Sequence, residues 1–239
     1  MTAACIVQAR MGSTRLPGKV LERLAGETVL AHVLRRCRAI PGIDCVVCAT
    51  AEGPQDDPVA DEALGAGAIV FRGSERDVLG RYLGAARAVE ADRVLRVTSD
   101  CPLIDPALCG EVLALCGPRA AEFASNNRPP SWPHGLDCEA FTRDLLERAA
   151  AAASFPYERE HVTPWMRVTP GIRRADIAGP GGVALEQRWT LDYPEDLAFL
   201  EALFPLLPPP PAIASTAQVM AVLAANPAVA RINEQRRAA

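Results

Sequence analysis

Ile6-Val7-Gln8-Ala9-Arg10-Met11-Gly12-Ser13-Thr14-Arg15-Leu16-Pro17-Gly18-Lys19-Val20-Leu21 is the stretch that decides the fold class of this chain. Its first residues belong to a short apolar run, Ala4–Ala9, of the length and composition of a buried strand. A loop follows, with Gly12, Ser13, Thr14, Pro17 and Gly18, and it carries the cations Arg10, Arg15 and Lys19. A strand that runs into a glycine-bearing basic loop suits phosphate. Glycines let the backbone approach the ligand, free N–H groups face anionic oxygens, and the cations neutralise them. Two familiar phosphate motifs are excluded by spacing. A Walker loop has four residues between its glycines and Ser or Thr after its lysine. Here five residues separate Gly12 from Gly18, and Val20 follows Lys19. The Gly-x-Gly-x-x-Gly pattern is absent as well.

Lys19 is the only lysine in the chain; the other long cationic side chains are all arginine. Such a bias means that surface lysines have been freely exchanged for arginine. A compact ammonium on a flexible stem differs from a planar fork, so a site that needs the former resists the exchange. A lone surface lysine is the alternative, and its place at the end of a basic loop after a strand favours function.

A chain of 239 residues can bury a full core, and one α/β domain with an appended element is the expectation. The net charge of −4 argues against general binding to nucleic acid or to a membrane surface. No run approaches the roughly 18 apolar residues of a membrane span. No basic region precedes the first apolar run, which stops at Arg10, so no signal peptide and a cytoplasmic location are expected. Cys45 and Cys48 are spaced Cys-x-x-Cys but lie in an apparent strand, where residues three apart face opposite sides. The eight cysteines therefore read as free thiols, not as metal ligands or disulfides.

Strands are expected at 4–9, 44–49, 68–71 and 93–98, and helices at 28–39, 57–65, 74–90 and 106–115. Asp57-Pro58 reads as an N-cap with proline at the first helical position. This alternation gives an α/β fold with a mostly parallel sheet and helices on both faces. Ligands of such sheets lie at the carboxyl ends of the strands. That rule brings the Arg10–Lys19 loop, the Arg72–Asp77 turn and Asp100 to one rim. From Phe123 the pattern loosens. A loop with three prolines spans 126–135, strands are expected at 137–141, 173–178 and 188–191, and helices at 142–153 and 194–204. The stretch 157–168 is broken by Pro164. The domain is expected to occupy 1–207, followed by a proline-rich spacer and helical tail over 208–239, with the last helix at 215–225.

Ala9-Arg10-Met11-Gly12-Ser13-Thr14-Arg15-Leu16-Pro17-Gly18-Lys19 resembles the opening motif of the sugar-acid cytidylyltransferases, among them the 3-deoxy-manno-octulosonate and acylneuraminate enzymes. The spore coat polysaccharide biosynthesis protein F-type members are nearest. Three further stretches carry the resemblance. Arg72-Gly73-Ser74-Glu75-Arg76-Asp77-Val78-Leu79-x-Arg81-Tyr82 resembles the segment that closes over cytosine and ribose, and on residues alone it is a capped helix start. Val97-Thr98-Ser99-Asp100-Cys101-Pro102-Leu103 resembles the strand-end aspartate segment. Thr190-Leu191-Asp192-Tyr193-Pro194-Glu195-Asp196-Leu197 resembles the late motif whose aspartate completes a metal site, while Glu195 and Asp196 read as helix-start acids. His134-Gly135-Leu136-Asp137-Cys138-Glu139 and Arg159-Glu160-His161-Val162-Thr163-Pro164 resemble stretches typical of the F-type members. Cys138 stands where typical members have Val, and Tyr193 where they often have Thr. The likeness runs from about Ala4 to Phe204.

The resemblance implies a Rossmann-like nucleotidyltransferase with a smaller inserted acceptor and dimerisation element. It implies a homodimer, and CTP and a small sugar acid as partners. The sugar hydroxyl would attack the α-phosphate to give a CMP-sugar and pyrophosphate, for surface polysaccharide or glycan synthesis. It places Arg10, Lys19 and Asp100 in catalysis. Ala9, Arg10, Gly12, Ser13, Arg15, Lys19, Arg72, Ser74, Asp77 and Thr98 would bind the nucleotide. Asp100 and Asp192 would hold Mg²⁺, the cofactor, which would relieve the repulsion of two carboxylates with no other partner. Asp137, Glu139, Arg159 and His161 would hold the acceptor. A nucleotide-sugar glycosyltransferase and a non-catalytic nucleotide-binding protein are the competing readings.

Overall fold

The computed structural model describes residues 1–237. The strands are β1 (Ala3–Gln8), β2 (Arg23–Leu24), β3 (Glu27–Thr28), β4 (Cys45–Ala51), β5 (Ile69–Gly73), β6 (Arg93–Thr98), β7 (Phe123–Ser125), β8 (Glu139–Thr142) and β9 (Arg174–Asp176), and those up to β6 alternate with helices over the first half. Those helices are α1 (Val29–Arg38), α2 (Asp57–Gly65), α3 (Val78–Ala88) and α4 (Pro106–Leu115). The second half adds α5 (Arg143–Ala152), α6 (Pro156–His161), α7 (Pro164–Val168), α8 (Pro194–Leu203), α9 (Thr216–Ala225) and α10 (Pro227–Ala230). Seven strands form one sheet in the order β5-β4-β1-β6-β8-β7-β9, and β2 and β3 form a separate small hairpin. Within the sheet only β8 runs against its neighbours, so the sheet is mostly parallel as expected.

Strand alternation builds the two faces. Ala3, Cys5 and Val7 of β1 point into one apolar layer with Val33 and Leu34 of α1 and Val112 of α4. Ala4 and Ile6 point into the other, with Leu79 and Tyr82 of α3 and Leu145 of α5. A parallel strand covered on both sides has to be apolar throughout, which is why 4–9 reads as a continuous run. Cys45 and Cys48 fall on opposite faces, and all eight cysteines are free.

Two expectations need correction, and two short elements had not been expected. Arg188–Leu191 is extended but forms only an isolated bridge, because its partners are loops: Trp189 N–H donates to the His134 carbonyl (2.7 Å) and Leu191 N–H to that of Asp100 (2.8 Å). The close pass needs Gly135, where φ is 108° and a Cβ would lie 2.7 Å from the Thr190 nitrogen. Strand β7 and the β2–β3 hairpin are too short to show a period. The residue before α2 is Asp56, not Asp57; it is buried, and its carboxylate accepts the Met11 N–H (2.7 Å) at the start of the basic loop.

The segment after Pro208 shares a core with the rest. Val219 and Leu223 of α9 join Leu203, Phe204 and Trp189 in a third apolar cluster. Asp105 ties the two parts together. It caps α4 through the Ala107 amide (2.9 Å) and accepts both the amide (2.8 Å) and the hydroxyl (2.6 Å) of Thr216. Burial pushes this carboxyl up, but the Thr216 donors and the two helix amides more than offset it and hold it below the usual carboxylate range. A depressed carboxyl stabilises above its unfolded value and loses that contribution as pH falls through the folded one. Asp105→Ala should therefore cost about 2 kcal/mol at neutral pH, a helix cap plus a charged hydrogen bond. Its deficit against wild type in urea titrations should shrink as the solution is acidified. An equal deficit at every pH would exclude this role.

Candidate active site

Three separate parts of the chain meet at the carboxyl rim of the sheet. Lys19 follows the loop after β1, Asp100 follows β6, and Asp192 follows the extended segment docked on the Asp100 carbonyl. The Lys19 side chain is only 11% exposed. Its ammonium donates to Asp100 Oδ2 (2.7 Å), Asp192 Oδ1 (2.9 Å) and the Leu191 carbonyl (2.7 Å). Three N–H donors meet three acceptors, an arrangement that a planar guanidinium does not reproduce.

This geometry corrects the picture of two uncompensated carboxylates. Burial pushes the Asp100 and Asp192 carboxyls up, but Lys19 outweighs it and holds both below the usual range, with Arg15 helping at Asp192. Burial pulls the Lys19 ammonium down, and the two carboxylates reverse that and raise it. Arg15 reaches Asp192 Oδ1 (2.7 Å), and Arg188 reaches Asp192 Oδ2 (3.2 Å). Arg188 is itself buried and forms a two-pronged pair with Asp196 through Nε (2.9 Å) and Nη2 (3.0 Å).

The triad opens onto a cleft of about 410 Å³. Of the expected site residues, Ala9, Arg10, Gly12, Ser13, Arg15, Lys19, Thr98, Asp100, His161 and Asp192 line it. The basic loop keeps donors free: among the described residues the amides of Gly12, Thr14 and Arg15 have no partner. Gly18 closes the loop at φ 73°, a left-handed conformation suited to glycine.

Other expected residues are engaged elsewhere. Arg72 pairs with Asp57 (2.6 Å) and the Gly53 carbonyl (3.2 Å), because its strand β5 is the sheet edge and its side chain turns toward α2. Ser74 accepts the Asp77 amide (3.2 Å) and Asp77 caps α3 at Gly80 (2.9 Å), so this turn is the capped helix start. Arg159 pairs with Asp77 and the Ala150 carbonyl (2.8 Å). Glu139 is buried between Arg96, Arg167 and Thr163, a strut between β8 and α7. Asp137 accepts the Gly135 amide (3.3 Å).

Arg81 and Glu160 stand inside motifs quoted above but were given no role of their own, and Arg188 was read only as the start of a strand. Arg81 is 3% exposed and lines the cleft, its Nη1 donates to the Ser74 carbonyl (2.9 Å), and among the described residues no carboxylate pairs with it. The signal was a helix position, three residues after Val78, that places a charge on the buried face. Arg188 was legible as a charge opening an otherwise uncharged buried run, Arg188-Trp189-Thr190-Leu191.

A mostly parallel sheet with a basic strand-end loop, free amides and a lysine-bridged pair of aspartates defines a nucleotidyltransferase site. The cytidylyltransferase family model matches residues 4–225, and the chain belongs to that family as a CTP-dependent nucleotidyltransferase. The spore coat polysaccharide biosynthesis protein SpsF of Bacillus subtilis (strain 168) is 31% identical over 236 residues, 96% of this chain and 97% of its own. A cytidylyltransferase structure from Leptospira borgpetersenii serovar Hardjo-bovis matches with a TM-score of 0.91 at 32% identity, covering 97% of each chain. The structure of CMP:2-keto-3-deoxy-manno-octonic acid synthetase complexed with CTP shares the fold, with a TM-score of 0.66 and 22% identity over 86% of this chain and 99% of that one. Family membership sets aside the glycosyltransferase and non-catalytic readings.

Lys19→Arg keeps the charge but should lower turnover by about 100-fold, the scale of losing a preorganised charge donor. The triad also sets a pH window. Raised Lys19 stabilises at lower pH and loses its contribution as pH rises through its folded value, whereas the depressed aspartates lose theirs as pH falls. Lys19→Met should therefore be less stable than wild type at neutral pH, with the gap closing at both extremes. Melting curves across pH that show a constant gap would contradict the triad.

Proposed function

We propose that this protein activates a sugar acid: the sugar hydroxyl oxygen attacks the α-phosphorus of CTP, the bond to the bridging α–β oxygen breaks, and pyrophosphate leaves. The hydroxyl proton passes to solvent, since both carboxylates already accept from Lys19. The observation that carries this reading is Lys19 seated between Asp100 and Asp192 at the mouth of a cleft lined by the basic loop. Catalysis here is positioning and charge stabilisation, with no covalent intermediate. The free loop amides, Arg10 and Arg15 would face the phosphates, and Arg81 adds a buried positive charge with no carboxylate partner among the described residues.

The donor set fits Mg²⁺. Asp100 Oδ1 takes the weak Cys101 thiol contact at 3.6 Å, with the Thr98 hydroxyl also acting on the carboxylate, and no cation pairs with this oxygen among the described residues, so it remains available. Mg²⁺ takes one or two carboxylates and completes its shell with phosphate oxygens and water. Asp100 would hold it through this oxygen and Asp192 would join by giving up one of its contacts to Lys19, Arg15 or Arg188; when bound, the ion would stabilise charge on the α-phosphoryl group. Of the expected acceptor residues only His161 lines the cleft, so the acceptor role is proposed for His161. A homodimer belongs to the same reading and is tested by light scattering.

The direct test is pyrophosphate release in Mg²⁺ with each of the four nucleotides and a panel holding 3-deoxy-manno-octulosonate and acylneuraminate. Release is expected with CTP and a sugar acid together. Release with UTP or ATP equal to that with CTP, or no release with any acid, would overturn the proposal. Asp100→Asn and Asp192→Asn should each lower turnover by about 100-fold. Each should also destabilise the metal-free protein by about 1.5–3 kcal/mol, because Lys19 loses a charged partner.

A further inference from the structure

Residues 226–237 lie beyond the stretch that the family model matches and beyond every motif of the sequence. They nevertheless end against the active site. After α10 the chain brings Asn233, 1% exposed, under the start of α8. Its Nδ2 donates to Asp196 Oδ1 (2.9 Å) and to the Arg188 carbonyl (3.0 Å). Asp196 has no exposed surface. Its other oxygen accepts Arg188 Nη2 (3.0 Å) and the amides of Asp192 (3.0 Å) and Tyr193 (3.1 Å). Arg188 in turn reaches Asp192 Oδ2 (3.2 Å), and Asp192 Oδ1 holds Lys19 (2.9 Å). The tail makes a second contact through Arg236, which pairs with Glu195 (3.0 Å) and lies 4.2 Å from the centre of the Tyr193 ring. Arg15 of the basic loop lies 5.0 Å from that same ring.

We infer that residues 226–237 are a positioning strap for the cytidylyl-transfer site, with Asn233 as the residue that fixes Asp192 through Asp196 and Arg188. The inference rests on the proposed role of Asp192. A carboxylate has about four lone-pair sites, and five donors converge on Asp196. Its orientation is therefore set by all of them together. Without the Asn233 amide, Asp196 Oδ1 keeps only Arg188 Nε and the Arg188 carbonyl loses its side-chain donor. The two-pronged pair with Asp196 remains, but it loses the contact that fixes its orientation from the tail side, so the guanidinium holds Asp192 less firmly. Asn233 touches neither Lys19 nor the cleft, so it is a positioning residue and not a catalytic one.

Lys19 gives a readout that needs no turnover. As the only lysine, it is the one side-chain amine open to an N-hydroxysuccinimide ester, and mass mapping separates it from the α-amino group. The full-length protein is labelled as wild type and as Asn233→Ala, Asn233→Ser, Asp192→Asn, the double Asn233→Ala/Asp192→Asn, and Val219→Ala. The last loosens α9 from its core without touching the network. Labelling of Lys19 should be several-fold faster in both Asn233 variants and in Asp192→Asn. It should be no faster in the double variant than in Asp192→Asn alone, because residues acting through one contact are not additive. Val219→Ala should label at the wild-type rate even if it melts as early as Asn233→Ala. A wild-type rate in the Asn233 variants overturns the inference, as does equal acceleration in Val219→Ala at equal melting temperature. Should Asn233→Ala fail to fold, Asn233→Ser decides alone. Failure of CTP to protect Lys19 in wild type would instead remove the cytidylyl reading, while the comparison of variants still decides the strap.

Discussion

Lys19 Nζ sits between two carboxylates at 2.7 and 2.9 Å and caps a backbone carbonyl at 2.7 Å, and the rest of the site is arranged around that ammonium. At an effective dielectric of about 20, charges 4 Å apart interact by roughly 4 kcal/mol. Two attractions of that order outweigh the burial of Lys19 and the mutual repulsion of Asp100 and Asp192, which is why both carboxyls end up depressed. Removing any one member leaves the others short of a partner in a partly dry place. The three contributing segments are thereby locked to one another: the loop after β1, the turn after β6, and the run before α8.

The fold delivers those segments by different devices. Parallel pairing sets β1 beside β6 with Gln8 against Thr98, so the loop and Asp100 leave the sheet at the same level. Asp192 has no strand to carry it. Its segment is hung on two carbonyls, those of His134 and Asp100, and passes so close to Gly135 that a side chain there has no room. Asp56 then fixes the start of the basic loop through the Met11 amide. Each of these supports restricts where the triad can lie.

Much of this was legible in sequence, and the failures share a cause. Periodicity and turn chemistry placed β6 and α4 at their observed bounds, because their signals are local. The basic loop and the two aspartates were found by residue type and by resemblance, and the singular lysine pointed to a point-charge site. What sequence could not show was who neutralises whom. Asp100 and Asp192 were expected to need a metal because Lys19 was assigned to phosphate, and the sharing of one ammonium depends on side chains 81 and 173 positions apart. Arg72, Glu139 and Arg159 were assigned to ligands for the same reason. Their partners Asp57, Arg167 and Asp77 belong to other elements, and residue type alone does not distinguish a strut from a ligand.

Charge balance decides what the site can accept next. Asp100, Asp192 and Asp196 are matched by Lys19, Arg15 and Arg188, three acids against three bases, so the triad region is close to neutral. A triphosphate entering the cleft brings several negative charges that this balanced set does not offset. Among the described residues Arg81 has no carboxylate partner and Arg10 only loose pairs at 3.7 and 3.8 Å to Glu75 and Glu160, and in the proposed reaction these two would supply part of the difference. The rest calls for a divalent cation, and the available Asp100 oxygen is where the protein can meet it. Lys19 thus organises the acidic pair, and in the proposed reaction the need for a metal would come from the nucleotide's charge and not from repulsion between the aspartates.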